Sequence, residues 1–282
     1  MLRLLRNLKK VVISERRNSY MAWEEKYYEM EYQRDLTIGR IGTINSLIHE
    51  GANWDLIRFC LENIKSSNSQ MCQDLIAAYI FESSGELSKY FVEFGAADGI
   101  NLSNTAFLDG RGWTGILCEP SLSAFAKLEV NRKKTKNFQI CVFGVSGQMV
   151  TFVETENSLL STIEEFIGSD DHHNSRVAIE KYLVPTLTLE DLLESCEAPA
   201  KMSLLSIDTE GTEYQILEKF DFERFQFQLI FVEHNYGPNS KAILDLILKN
   251  NYELIFEKTS RHDYWFIHKD LSKQIKDKLK PS

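Results

Sequence analysis

The chain has 282 residues and is 43% hydrophobic, enough apolar material for one large domain or a domain with an added subdomain. Its formal net charge of -9 argues against a general nucleic-acid binder, because neutralising phosphates takes a surplus of Lys and Arg. No apolar stretch approaches the ~20 residues of a membrane span, and Cys60, Cys72, Cys118, Cys141 and Cys196 are odd in number with no C-x-x-C pair, which reads as reduced thiols in a cytoplasmic protein.

The chain starts with MLRLLRNLKKVVISERR, in which charge interrupts the apolar residues, unlike the continuous apolar segment of a secretory signal. This basic segment reads as a solvated amphipathic helix or as one that meets a membrane surface or a protein partner. The helical pattern continues to about Gly85, through WDLIRFCLENI and SQMCQDLIAAYIFESS, and it offers a surface for a second copy in a homo-oligomer. From Tyr90 the rhythm changes to short runs of strand length: YFVEF, TGILCE, FQICVFGV, MVTFVET, YLVPTLT, MSLLSID, QLIFVEH, YELIFEK and DYWFIH. Helical patterns such as LSAFAKLEVNRKK, LEDLLESC, EYQILEKF and SKAILDLILKN alternate with many of them, which predicts an α/β fold with a mostly parallel sheet. The last two runs have no helix-length segment between them and predict an antiparallel hairpin at one sheet edge. The irregular segment IEEFIGSDDHHNSRVAI is a candidate lid or substrate loop, and within it His172 and His173 are candidates for reaching the substrate.

Acidic residues mark the ends of the strand-like runs. In an open parallel sheet, ligands bind beyond the carboxyl ends of the strands. Glu93, Asp98, Glu119, Asp208 and Glu233 all fall at or just after such ends, so the fold gathers them on one rim. Glu119 lies about 20 residues beyond a glycine turn, the spacing of a ribose-binding acid in dinucleotide sites. GAADGIN, however, lacks the third glycine of that pattern and places Asp98 where a pyrophosphate wants bare N–H groups. A ligand without phosphate and with a positive centre fits better. S-adenosylmethionine is such a ligand, with Asp98 facing its ammonium and Glu119 its ribose hydroxyls.

FVEFGAADGINLSNTAFL, GWTGILCEPS, VPTLTLEDLL, LLSIDTEGTEYQIL and LIFVEHN, in that order, resemble the FkbM-type S-adenosylmethionine-dependent methyltransferases, and SQMCQD and SRHDYWFI extend the resemblance to about residues 69–268. It implies a Rossmann-like seven-stranded, mostly parallel methyltransferase sheet with an antiparallel edge hairpin, in a domain spanning 69–282 behind an N-terminal helical extension, 1–68. It further implies O-methylation of a hydroxyl on a sugar, glycan or small natural product. Cofactor contacts are implied from Glu93, Gly95, Ala96, Asp98, Asn104, Glu119 and Pro120, with Ser146 near the adenine. Spacing alone points only to Asp98 and Glu119.

Transfer to a hydroxyl requires removal of its proton, for which Asp208, His234 and Glu210 are the candidate bases. Asp208 also suits a helix N-cap, and Glu210 a helix N-terminus. The alternative is a divalent cation on Asp208, Glu233, His234 and Asn235, lowering the hydroxyl's pKa; the metal-free base is the favoured reading. DTEGTE stands where base-amino methyltransferases carry an Asn/Asp-Pro-Pro-aromatic motif, and no Tyr-x-x-x-Lys of a short-chain oxidoreductase occurs. A non-catalytic module retaining the S-adenosylmethionine pocket is the remaining alternative.

Overall fold

The computed structural model describes residues 2–85, 88–168 and 176–280, with side chains from Lys26 onward, Ser158 excepted. Helix α1 (Leu2–His49) leads into α2 (Trp54–Asn63) and α3 (Gln73–Ser84). Asn53 caps α2 by accepting the Asp55 N–H, and Gly85 ends α3 in the left-handed conformation at φ 67°. There follow β1 (Tyr90–Phe94), α4 (Ala106–Gly110), β2 (Thr114–Cys118), α5 (Leu122–Asn131), β3 (Lys136–Phe138), β4 (Cys141–Val142), β5 (Met149–Thr155), β6 (Thr162–Ile163) and β7 (Ala178–Leu187). The chain closes with α6 (Leu189–Ser195), β8 (Lys201–Ile207), α7 (Glu213–Leu217), β9 (Gln226–Glu233), α8 (Ser240–Lys249), β10 (Tyr252–Leu254), α9 (Glu257–Ser260), β11 (Asp263–His268) and α10 (Lys269–Leu279).

Seven strands form the main sheet in the order β10-β11-β9-β8-β1-β2-β3. The pairs from β9 to β3 are parallel, and β11 runs antiparallel to both its neighbours. The expected antiparallel hairpin is therefore present, with β10 as the edge and β11 inserted beside β9. Alternate residues of each strand serve opposite faces. Phe91, Leu117, Leu204 and Phe231 pack with Leu56, Leu75 and Leu271 of α2, α3 and α10, while Val92, Ile116, Ile207 and Val232 pack with Leu192, Ile216 and Ile243 of α6, α7 and α8. Ile44 and Leu47 of α1 join the first of these cores.

Three runs behave differently from the sequence pattern. FQICVFGV is not one strand: β3 pairs with β2 in the main sheet, and β4 crosses to pair with β7. MVTFVET and YLVPTLT, with no α-helix between them among the described residues, pair antiparallel as β5 and β7 in a separate four-stranded sheet, β4-β7-β5-β6. This small sheet walls one side of the site. All five cysteines are buried free thiols, and burial pushes Cys60 up to about 12. Among the described residues no helix is long and apolar enough to cross a membrane.

Candidate active site

The parallel register aligns Cys118, Phe94, Ile207 and Val232 across four neighbouring strands. The residues that follow them, Glu119, Gly95, Asp208 and Glu233, therefore leave the sheet in one row at its carboxyl edge. Gly95 makes the row possible. It has φ 69°, and a Cβ there would sit 1.7 Å from the Asp208 carbonyl oxygen, so only glycine lets the two loops pass this closely. All four residues of the row line a cavity of about 230 Å³, together with Ala96 and Pro120. Phe94, Ile140, Val142 and Phe152 give it an apolar wall, and Glu210 adds a further carboxylate.

The loop after β1 is held from beneath. The buried Glu93 carboxylate accepts from the Asn104 N–H at 2.7 Å, the Ser103 hydroxyl at 2.9 Å and the Thr105 hydroxyl at 2.5 Å. Buried Arg132 pairs with Asp109 at 2.8 Å and donates to the Gly99 carbonyl at 2.9 Å and the Thr105 hydroxyl at 3.0 Å. Asp98 lies off the cavity wall, where it accepts from the backbone N–H groups of Ile100 and Asn101 and from the Asn101 amide. Asn104 donates to the Ser206 hydroxyl at 2.9 Å, which leaves its buried Oδ1 without a partner among the described residues. Ser146 is turned toward α6, donating to Asp191 and accepting the Thr188 N–H at 2.8 Å.

Glu119 is buried and accepts one N–H on each oxygen, from Ala97 at 2.7 Å and Ser121 at 2.8 Å. Burial outweighs these bonds and pushes its carboxyl up to about 7. The carboxylates of Asp208, Glu210 and Glu233 each place an oxygen within 4.8 Å of the others. Asp208 opens into the cavity, but protein surrounds the cavity and hydrates a charge poorly, so its carboxyl rises to about 7 although a hydrogen bond from Glu233 favours its ionised form. Glu233 is raised further, by burial first and then by the facing Asp208 charge. Glu210 is anchored by buried Arg176 at 2.7 Å, and the same guanidinium donates to the Leu160 and Ile167 carbonyls at 2.8 and 2.9 Å.

His234 does not reach this cavity. Its Nδ1 accepts the Tyr236 N–H at 3.0 Å, and its ring lies over Tyr264 with centroids 4.0 Å apart. Burial, then the neighbouring His262, lowers its pKa and keeps it neutral. His234 and Asn235 line a second cavity instead, so of the four residues expected to hold a cation only Asp208 and Glu233 come together, with Glu210. His172 and His173 lie outside the described residues. Sequence reasoning missed Gln70, Asn157 and Ser161, which line the first cavity, and Arg176. Gln70 sits within SQMCQD, a short polar segment opening a helix, where it carried a signal. The other three lie in irregular segments with no periodicity to single them out.

Residues 93–254, more than half of the chain, match the methyltransferase FkbM domain. The chain belongs to the FkbM methyltransferase family. Among solved structures, that of the fibrillarin/Nop5p complex aligns with 13% identity and a TM-score of 0.32, covering 66% of this chain and 77% of the other. No curated protein matches the sequence. In this FkbM methyltransferase the matched segment begins at Glu93, under the glycine loop, and ends at Leu254, so it contains all the carboxylates of the cavity.

Proposed function

We propose that this methyltransferase uses S-adenosylmethionine to methylate a hydroxyl of a sugar, glycan or related small natural product, in the cytoplasm. The observation that carries the reading is the first cavity. Four carboxylates, from Glu119, Asp208, Glu210 and Glu233, meet an apolar wall there, and among the described residues no Lys or Arg lines it. A dinucleotide pyrophosphate would find no counter-charge in it, whereas a sulfonium ligand with a nucleoside finds both of the surfaces it needs. Glu119 would hold the ribose hydroxyls, Phe94, Ile140, Val142 and Phe152 the adenine, and the unpartnered Asn104 Oδ1, just behind Ser103 on the wall, a donor of the amino-acid tail. Bound there, S-adenosylmethionine supplies a methyl group activated by its sulfonium, whose transfer exchanges a C–S bond for a C–O bond.

The protein's own part is alignment and proton removal. The Asp208–Glu233 pair stands at the cavity floor with an affinity for protons near neutrality, which suits a general base and contributes about 10²–10⁴-fold in rate. Arg176 holds the Glu210 carboxylate in an ion pair beside it and ties it to the Leu160 and Ile167 carbonyls. Incubation with labelled S-adenosylmethionine and hydroxylated acceptors, followed by mass spectrometry, should show a methyl on oxygen. Methylation on nitrogen of a protein or nucleic acid would overturn the reading, and cofactor binding with no transfer to any acceptor would leave a non-catalytic module.

A second reading rests on the convergence of Asp208, Glu210 and Glu233, whose oxygen set suits magnesium or manganese. Under it a divalent cation, in place of the carboxylate pair, lowers the hydroxyl's pKa. Chelation separates the two readings: the carboxylate base works on, and the cation site stops until metal is restored.

A further inference from the structure

Beside the first cavity lies a second, of about 270 Å³, between the 165–166 turn, the start of α7 and the loop from β9 to α8. Glu233 lines both cavities, so one carboxylate is reached from either side. Two more carboxylates, Glu165 and Glu213, face the second cavity. The remaining polar lining includes His234, Asn235 and Asn239, and Phe166 supplies one aromatic face. Among the described residues no Lys or Arg lines the cavity. Asn239 makes no capping bond to α8, so its amide is not committed to the helix end.

We infer that this second cavity is the acceptor site and that it takes hydroxylated molecules that are uncharged or carry an ammonium group, and excludes anionic ones such as uronic acids and sugar phosphates. The inference rests on the methyl-transfer reading above and gives it an acceptor class. Amide and imidazole groups can donate to and accept from hydroxyls, and Phe166 offers a flat apolar surface to a ring. An anionic acceptor would meet the Glu165 and Glu213 carboxylates and, among the described residues, no cation, a like-charge juxtaposition that costs binding. An ammonium meets the reverse. Glu233 then has one role on each side: paired with Asp208 at the floor of the first cavity, and facing an acceptor hydroxyl in the second. The proton released by that hydroxyl passes to the pair directly, without crossing solvent.

The test uses the full chain saturated with S-adenosylhomocysteine, with binding of four probes followed by saturation-transfer NMR: methyl glucoside, glucosamine, glucuronate and glucose 6-phosphate. Methyl glucoside and glucosamine should bind, and the two anions should not. Asn239→Ala should weaken the bound pair by about tenfold, the loss of one or two hydrogen bonds, while S-adenosylhomocysteine affinity and thermal stability hold. Asn239→Arg, which places a cation in the lining, should admit glucuronate and weaken glucosamine. Anions that bind the wild type as well as glucosamine does would overturn the inference. So would Asn239 variants with unchanged probe binding, or a protein that holds S-adenosylhomocysteine but none of the four probes. A protein that fails to bind S-adenosylhomocysteine at all would sink the methyl-transfer reading, and this inference with it.

Discussion

Glu119 shows how a single residue ties stability to function. Its folded carboxyl sits at about 7 against an ordinary 4.5, because burial disfavours the charge. The folded state therefore keeps a proton that the unfolded chain releases, and stability is highest below 4.5 and falls as pH rises through 7. The shift corresponds to about 3 kcal/mol at one pKa unit per 1.36 kcal/mol. Denaturant titrations of wild type and Glu119→Gln from pH 5 to 8 should show the wild type losing stability relative to the variant as pH rises. Parallel curves would mean that Glu119 is already ionised in the fold. At this scale the sequence was legible where spacing carried chemistry. The interval from the glycine turn singled out Glu119, and the strand-end position singled out Asp208 and Glu233. It was not legible where a side chain turns aside. The Asp98 carboxyl folds back on Ile100 and Asn101, and His234 is drawn to Tyr236 and Tyr264, through contacts that exist only once the loops are built.

The decisive element contact is the crossing of the loops after β1 and β8. Gly95→Ala would drive a Cβ against the Asp208 carbonyl oxygen at a φ that side chains rarely adopt. The expected cost is about 1–3 kcal/mol in stability, with a larger loss in turnover because Asp208 must move. A Gly95→Ala protein with wild-type melting and turnover would contradict the crossing. Asp208→Asn keeps the shape but removes the proposed base. It should lower kcat by about 10²–10⁴-fold with cofactor affinity within about threefold. An Asp208→Asn enzyme with near-normal kcat would leave the residue a structural role and send the search for the base to Glu233 and Glu210. The main sheet was legible because its strands are apolar runs set between amphipathic helices, buried on two faces. The four-stranded sheet was not, since β4 and β6 span two residues each, too short for a pattern, and β4 takes its partner from β7 far along the chain, with Cys141 opposite Thr186.

For the whole molecule, the described side chains of α1 are anchored at Arg40, which donates to the Ser69 carbonyl at 2.9 Å, and at Ile44 and Leu47. Among the described residues the cavity linings begin at Gln70. A chain lacking residues 1–25 should therefore bind cofactor within about twofold of the full chain, by the near-additivity of distant sites. A tenfold loss on truncation would show that the segment contributes to the site. The order of alternating strands and helices was enough to read a mostly parallel α/β sheet with a candidate site at its carboxyl edge, while the seven-stranded architecture came from the family resemblance. The second cavity was out of reach, because it is enclosed by segments as distant as Glu165 and Ile243.

The central claim is that the carboxylate-lined cavity holds S-adenosylmethionine on Glu119. Calorimetric titration of S-adenosylhomocysteine into wild type and Glu119→Gln, both shown to be folded by circular dichroism, tests it most directly. The account predicts binding to the wild type at one per chain. It predicts a loss of about tenfold to a hundredfold in the variant, for charge-assisted hydrogen bonds worth about 1.5–3 kcal/mol. No binding to the folded wild type, or equal binding to both proteins, would contradict it.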